Sequence, residues 1–205
     1  MKKLFILIFF ALTFSTIYAQ RFEGGFLGGF NATQVSGDNY VGYHKPGILF
    51  GAFVQTDLAP AVFAGMEVKY SQKGARNKID AEDQEPDKYI MRLGYAEIPV
   101  FAGFRANDRG SVIGGLSFGY LIHSGEYDEN GPFVEEDKNA FYNFDLQPFI
   151  GFKFDFVDNL SVDLRLAYSV LPIRDQPGEE TTYYYWINNQ FNNVISLALY
   201  YNFRR

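Results

Sequence analysis

The chain is 205 residues long and carries 18 basic against 24 acidic side chains, a net charge of −6 at pH 7. That balance excludes the basic surface nucleic-acid binding needs, and the absence of cysteine excludes a disulfide scaffold and acylation on cysteine. Twenty-two Phe and fifteen Tyr stand beside twenty Gly, an unusual mixture for a soluble domain that must hide its aromatics in one core.

Residues 1–19 read MKKLFILIFFALTFSTIYA: two lysines, an apolar run from Leu4, then small and polar residues ending in Ala19. This layout predicts a secretory signal peptide cleaved after Ala19, leaving one domain over residues 20–205. Without Lys2 and Lys3 the remainder holds 16 cations against 24 carboxylates, eight negative. Past the signal no apolar run approaches the roughly 20 residues of a spanning helix.

Strands are predicted at residues 22–33, 47–56, 61–71, 88–105, 111–124, 141–156, 160–170 and 191–203, from alternation at period two between turn-forming segments. The first two hold glycine on both faces, which leaves their orientation open. In the third, Val62, Ala64, Met66, Val68 and Tyr70 oppose Gly65, Glu67, Lys69 and Ser71. The fourth breaks phase: Tyr89, Met91, Leu93 and Tyr95 form one apolar set, and Ile98, Val100, Ala102 and Phe104 another, displaced by one residue. A bulge near Ala96 and Glu97, beside the non-donating Pro99, would reconcile the two sets. The sixth strand sets Phe144, Leu146, Pro148, Ile150, Phe152, Phe154 and Phe156 against Asp145, Gln147, Gly151, Lys153 and Asp155. The seventh, LSVDLRLAYS, sets Leu160, Val162, Leu164, Leu166 and Tyr168 against Ser161, Asp163, Arg165, Ala167 and Ser169; the last sets Phe191, Ile195, Leu197, Leu199, Tyr201 and Phe203 against Asn192, Ser196, Ala198 and Asn202.

Links of two lengths join these strands. DLAP, ANDRG and VDN are short, whereas QVSGDNYVGYHKP, QKGARNKIDAEDQEPD, GEYDENGPFVEEDKN and LPIRDQPGEETTYYYWINNQ are long. Short turns on one rim and long loops on the other is the layout of an outer-membrane barrel, and spanning sheets must close on themselves. The expected fold is therefore all-β: an eight-stranded antiparallel up-and-down transmembrane β-barrel of the small outer-membrane type, both termini on the periplasmic side. The rival is a soluble lipocalin-like barrel with its apolar face around a ligand cavity.

With the apolar faces in lipid, Glu67, Glu97, Asp145, Asp155 and Asp163 point inward together with Lys69, Arg92, Lys153 and Arg165. An eight-stranded barrel is about wide enough for its own side chains, and charges there must pair. The expectation is an interior salt-bridge network and no wide pore, with activity carried by the loops. Tyr70, Tyr89, Tyr120, Tyr142 and Tyr168 are expected at the headgroup level. Tyr183, Tyr184, Tyr185 and Trp186, in TTYYYW, are girdle residues or a loop recognition surface.

Catalytic chemistry has little to draw on. His44, His123, Ser124, Asp38 and Asp128 gather near one rim, but their spacing aligns no triad. The acidic run with Asp128, Glu129, Glu135, Glu136 and Asp137 is expected to be solvated, and neither a cofactor nor a metal site is expected.

GGFLGGFNATQVSGDNYVGYHKPGILFGAFV, with GMEVKYSQKGAR, YAEIPVFAGFR, DLRLAYSVLPI and NNVISLALYYNF, resembles the outer-membrane beta-barrel domain family of Bacteroidetes, the porin-like group that includes the sorting-system protein PorT. The resemblance spans essentially the whole mature chain and implies an integral barrel of a Gram-negative outer membrane. It carries no catalytic residues over. Such barrels commonly end on an aromatic residue, whereas here Arg204 and Arg205 follow Phe203. The partners implied are outer-membrane lipid and lipopolysaccharide, the barrel assembly machinery, and a surface ligand or an envelope protein such as a secretion component.

Overall fold

The computed structural model describes residues 22–38, 42–77, 89–133, 140–175 and 189–203. Eight long strands make up the wall: β1 (Phe22–Ser36), β2 (Lys45–Ala59), β3 (Val62–Lys73), β4 (Ile90–Arg105), β5 (Gly110–Asp128), β6 (Phe144–Val157), β7 (Leu160–Tyr168) and β8 (Asn189–Asn202). Each pairs antiparallel with its neighbours in chain order. β1 closes the circle on β8, in register from Gly25 opposite Asn202 to Ser36 opposite Phe191. Two-residue pieces extend the ladder at the long-loop rim, Gly131–Pro132 on β5 and Arg174–Asp175 on β8.

Closure removes every sheet edge, which is what lets strands stand in a bilayer. The alternation then decides the solvent on each side. Phe30 and Phe144 are 68% and 66% exposed, and Val68, Ile150, Leu166 and Leu197 share that outer face. Glu67, Lys73, Asp163 and Asn192 are buried inside. A soluble ligand-binding barrel needs the reverse, an apolar lining under a polar exterior.

β4 departs from the expected phase. Its alternation is unbroken, with Met91, Leu93, Tyr95, Glu97 and Phe101 buried and Arg92, Ile98, Val100 and Phe104 exposed. No bulge lies at Ala96 and Glu97. The irregularity is on the facing strand, where Gly94 pairs with His123 and Tyr95 with Leu121, leaving Ile122 as the extra residue of β5. Met91, Leu93 and Tyr95 are apolar because they fill the barrel mouth: with Val35, Ala75 and Ile173 they form one buried cluster. Gly74 turns the chain into that cluster at φ +131°, where a Cβ would meet the Met91 carbonyl oxygen at 2.1 Å. Only glycine takes that backbone without strain.

Toward the short-turn rim, large rings lie over glycines on the neighbouring strand. Phe63 pairs with Gly103 and Gly65 with Phe101 across β3 and β4. A Cβ on Gly103 would come within 2.2 Å of the Phe63 ring, and one on Gly65 within 2.5 Å of the Phe101 ring. Glycine thus makes the room two interior aromatics need.

Candidate functional site

The inward faces build a lumen crossed by ionic contacts at several heights. Near the short-turn rim Lys153 of β6 donates to Gln55 of β2 at 3.3 Å and lies over the Phe53 and Tyr200 rings. At mid-height Arg165 of β7 holds Glu67 of β3 through two hydrogen bonds, Nη2 to Oε1 at 2.6 Å and Nη1 to Oε2 at 3.0 Å. The same guanidinium reaches Asp163, and the Tyr200 hydroxyl donates to Glu67 at 2.8 Å. β2 with β6, and β3 with β7, are four strands apart in a ring of eight, so these contacts run from wall to opposite wall.

Higher up, Lys69 lies 3.5 Å from Glu97, and Lys73 lies 2.5 Å from Glu97 and 3.1 Å from Asp145. Lys73 also donates to Gln147 at 2.6 Å, while Ser169 and Asn192 donate to Asp145 at 2.7 and 2.9 Å. Glu67, Glu97, Asp145 and Asp163 thus meet Lys69, Lys73 and Arg165 in one chain of ion pairs. Pairing is required there, because an uncompensated buried ion costs far more than a paired one. Above this network sits the apolar Met91, Leu93, Tyr95 and Ile173 cluster. A last polar layer at the mouth joins Arg174 to Glu126 at 2.8 Å, with the Tyr89 hydroxyl donating to the same carboxylate. Burial, then the bond to Glu126, pushes the Tyr89 hydroxyl well above the ordinary phenol range, so it remains a donor.

The candidate interior residues thus fall in different places. Glu67, Lys69, Glu97, Asp145, Asp163 and Arg165 line the lumen as one network connected through Lys73, and Lys153 lies below it, bonded to Gln55 and over the Tyr200 ring. Asp155 sits at the short-turn rim and accepts from Ser161 at 2.6 Å. Arg92 is a correction: it is exposed on the outer face, its guanidinium 4.9 Å from the Tyr127 ring centroid. The displaced phase expected for β4 put it inside, and the true phase puts it out. Tyr89 is likewise a mouth residue, whereas Tyr70 and Tyr120 stand on the outer face as expected of a girdle. Tyr183, Tyr184, Tyr185 and Trp186 lie outside the described residues.

Sequence reasoning missed Lys73, Tyr200, Glu126 and Arg174. Lys73 shares the odd-numbered phase of Glu67, Lys69 and Ser71, so extending the third strand by two residues would have found it. Tyr200 follows in the same way from Asn192, Ser196 and Ala198. Glu126 and Arg174 carry no such signal, being drawn in by an extended β5 and by a chain segment that folds back onto β8.

The catalytic candidates do not converge. His123 lies outside, stacked on Tyr70 with ring centroids 6.2 Å apart, whereas Ser124 pairs with the inward Leu93 and therefore points to the other face. Among the described residues no group of three or more His, Asp or Glu could hold a metal ion.

A closed eight-stranded barrel with an apolar exterior, an ion-paired polar interior, short turns on one rim and long connections on the other is an integral outer-membrane protein. The chain belongs to the family described as outer membrane protein beta-barrel domain, whose model matches residues 15–174. No curated protein matches it. Among solved structures it is similar to Ail, the attachment invasion locus protein of Yersinia pestis, in complex with the heparin analogue sucrose octasulfate: 15% identity, 89% of this chain and 99% of that chain covered, TM-score 0.54. A second structure of Ail gives 15% identity, 88% and 98% coverage and a TM-score of 0.52. At such identity the likeness is one of fold.

Proposed function

We propose that this barrel is a surface-interaction protein whose recognition is carried by its long connections, above all the one holding Tyr183, Tyr184, Tyr185 and Trp186. The observation that carries this reading is the lumen, crossed from wall to wall by Arg165 and Glu67 and capped by Met91, Leu93, Tyr95 and Ile173; in this reading it is closed to solutes. What remains for function is the rim. Loops on a rigid scaffold are where binding residues usually sit, and Tyr and Trp give large contact area at low entropic cost.

In this reading the amino-terminal segment is a cleaved export signal, the short-turn rim with both chain ends faces the periplasm, and the long connections face outside. The barrel reaches the membrane through the assembly machinery and presents its loops to a surface ligand or partner protein. The test is crosslinking and affinity capture from native envelopes, comparing wild type with a Tyr184→Ser/Tyr185→Ser variant. Partners lost in the variant while barrel assembly is unchanged support the proposal. The same periplasmic or inner-membrane secretion components recovered with both would defeat it, in favour of a PorT-like role in an envelope machine.

A further inference from the structure

Pairing of β2 with β3 stops at Leu49 opposite Ser71, while β2 runs on to Lys45 and the chain after β3 turns away at Gly74 to bridge Ile90 through Arg76. The parting strands leave a notch of about 390 Å³ at the long-loop end of the wall, lined by Lys45, Arg76, Arg92, Gln72, His123 and Tyr127 among others. In a chain of net charge −6 this concentration of cations runs against the average. Lys73, which also borders it, is committed to Glu97 and Asp145. Among the described residues no carboxylate stands within ion-pair distance of Lys45, Arg76 or Arg92, and Lys45 donates to the Pro46 carbonyl at 2.7 Å.

We propose that this notch binds the phosphate monoester of an outer-leaflet lipid headgroup, with Arg76 and Arg92 as its principal ligands and Lys45 as the third cation. Two guanidiniums suit such a group because each fork can offer paired N–H donors to phosphate oxygens. A lipid is the source because of what surrounds the notch. Ile48 and Ile122, 44% and 56% exposed, face outward near it, and the outward Tyr70 and Tyr120 mark the same end of the wall. A headgroup in the notch would therefore lay its acyl chains along apolar wall. Gly94 contributes as well, since a Cβ there would meet the His123 ring at 2.2 Å and push it off the sheet.

The test uses the full mature protein in phosphatidylcholine nanodiscs doped with either phosphatidic acid, a phosphate monoester, or phosphatidylglycerol, a diester. Lipids retained after extraction into detergent are counted by native mass spectrometry, and each variant is first shown to be folded by heat-modifiable gel mobility. Wild type is expected to retain the monoester roughly tenfold better than the diester, a preference of ordinary size for charge-assisted hydrogen bonds. Arg76→Gln/Arg92→Gln should abolish the preference, and Arg109→Gln, at the opposite rim, should keep it. Equal retention of both lipids by wild type, or an equal loss in Arg109→Gln, overturns the site. If inorganic phosphate binds as tightly as the lipid and displaces it fully, the notch is a soluble-anion site and the lipid assignment falls. Partner capture through the tyrosine loop is a separate readout, so either proposal can fail alone.

Discussion

Arg165 and Glu67 stand on opposite walls and meet in the middle of the lumen, two hydrogen bonds joining them at 2.6 and 3.0 Å. Neither has an alternative in water, since both are buried. Truncating Arg165→Ala leaves Glu67 and Asp163 as neighbouring buried carboxylates, a loss of about 3–5 kcal/mol by analogy with other broken buried pairs. Reversible urea unfolding in lipid vesicles measures it. Arg165→Met/Glu67→Leu/Asp163→Asn, which removes all three charges, should recover a large part of that loss.

Wall-to-wall contacts also predict electrical silence. Planar-bilayer recordings of the pure protein should show no stable large conductance. Ile173→Asp would place a charge in the buried mouth cluster beside Met91, Leu93 and Tyr95, and Glu67→Ala/Arg165→Ala would remove the mid-height bridge. Combined, these changes should produce intermittent channels that neither gives alone. Stable channels in wild type would show that the side chains do not fill the lumen.

The reciprocal ring and glycine pairs of β3 and β4 make a packing prediction. Gly103→Val should force the Phe63 ring out of its position, at an over-packing cost of about 1–3 kcal/mol. Pairing it with Phe63→Ala should return part of the loss, a coupling that a double-mutant cycle reads directly.

The phase of β4 is checked by labelling. With the protein in bilayers, a cysteine in place of Met91 should resist water-soluble thiol reagents, and one in place of Arg92 should react rapidly, because Met91 is sealed in the mouth cluster whereas Arg92 stands outside the wall four residues beyond Ala96, the level of Tyr70 and Tyr120. The reverse pattern would restore the displaced phase. At mid-wall, cysteines replacing Leu164 and Arg165 should report lipid and lumen respectively.

How far the sequence could be read followed from how its apolar residues are used. β6, β7 and β8 show their orientation plainly, because charged and amide side chains recur at their inward positions, as Asp145, Lys153, Asp163, Arg165 and Asn192 do, and apolar ones face lipid. β4 misleads since its upper half borrows the composition of a lipid-facing strand for a buried apolar cluster inside the barrel. Alternation records only that two faces differ, and where both are apolar the register of the neighbours decides. The network suffered from the same limit: Glu126 and Arg174 come from segments that read as solvated loop, and only the folded chain brings them to within 2.8 Å.

The seam between β1 and β8 has a temporal side. Asn31 accepts from Ser196 across it, partners 165 residues apart in sequence, and every backbone bond of the seam joins the two extremes of the described chain. Contacts of such separation form late, because loop closure must be accomplished before they yield anything. Until β8 arrives, β1 carries an unpaired edge, which is untenable in hydrocarbon and a template for wrong partners elsewhere. The seam is therefore the step at which building the wall is most exposed to error. Shortening the chain before Asn189 should give an aggregate, with no smaller barrel among the products.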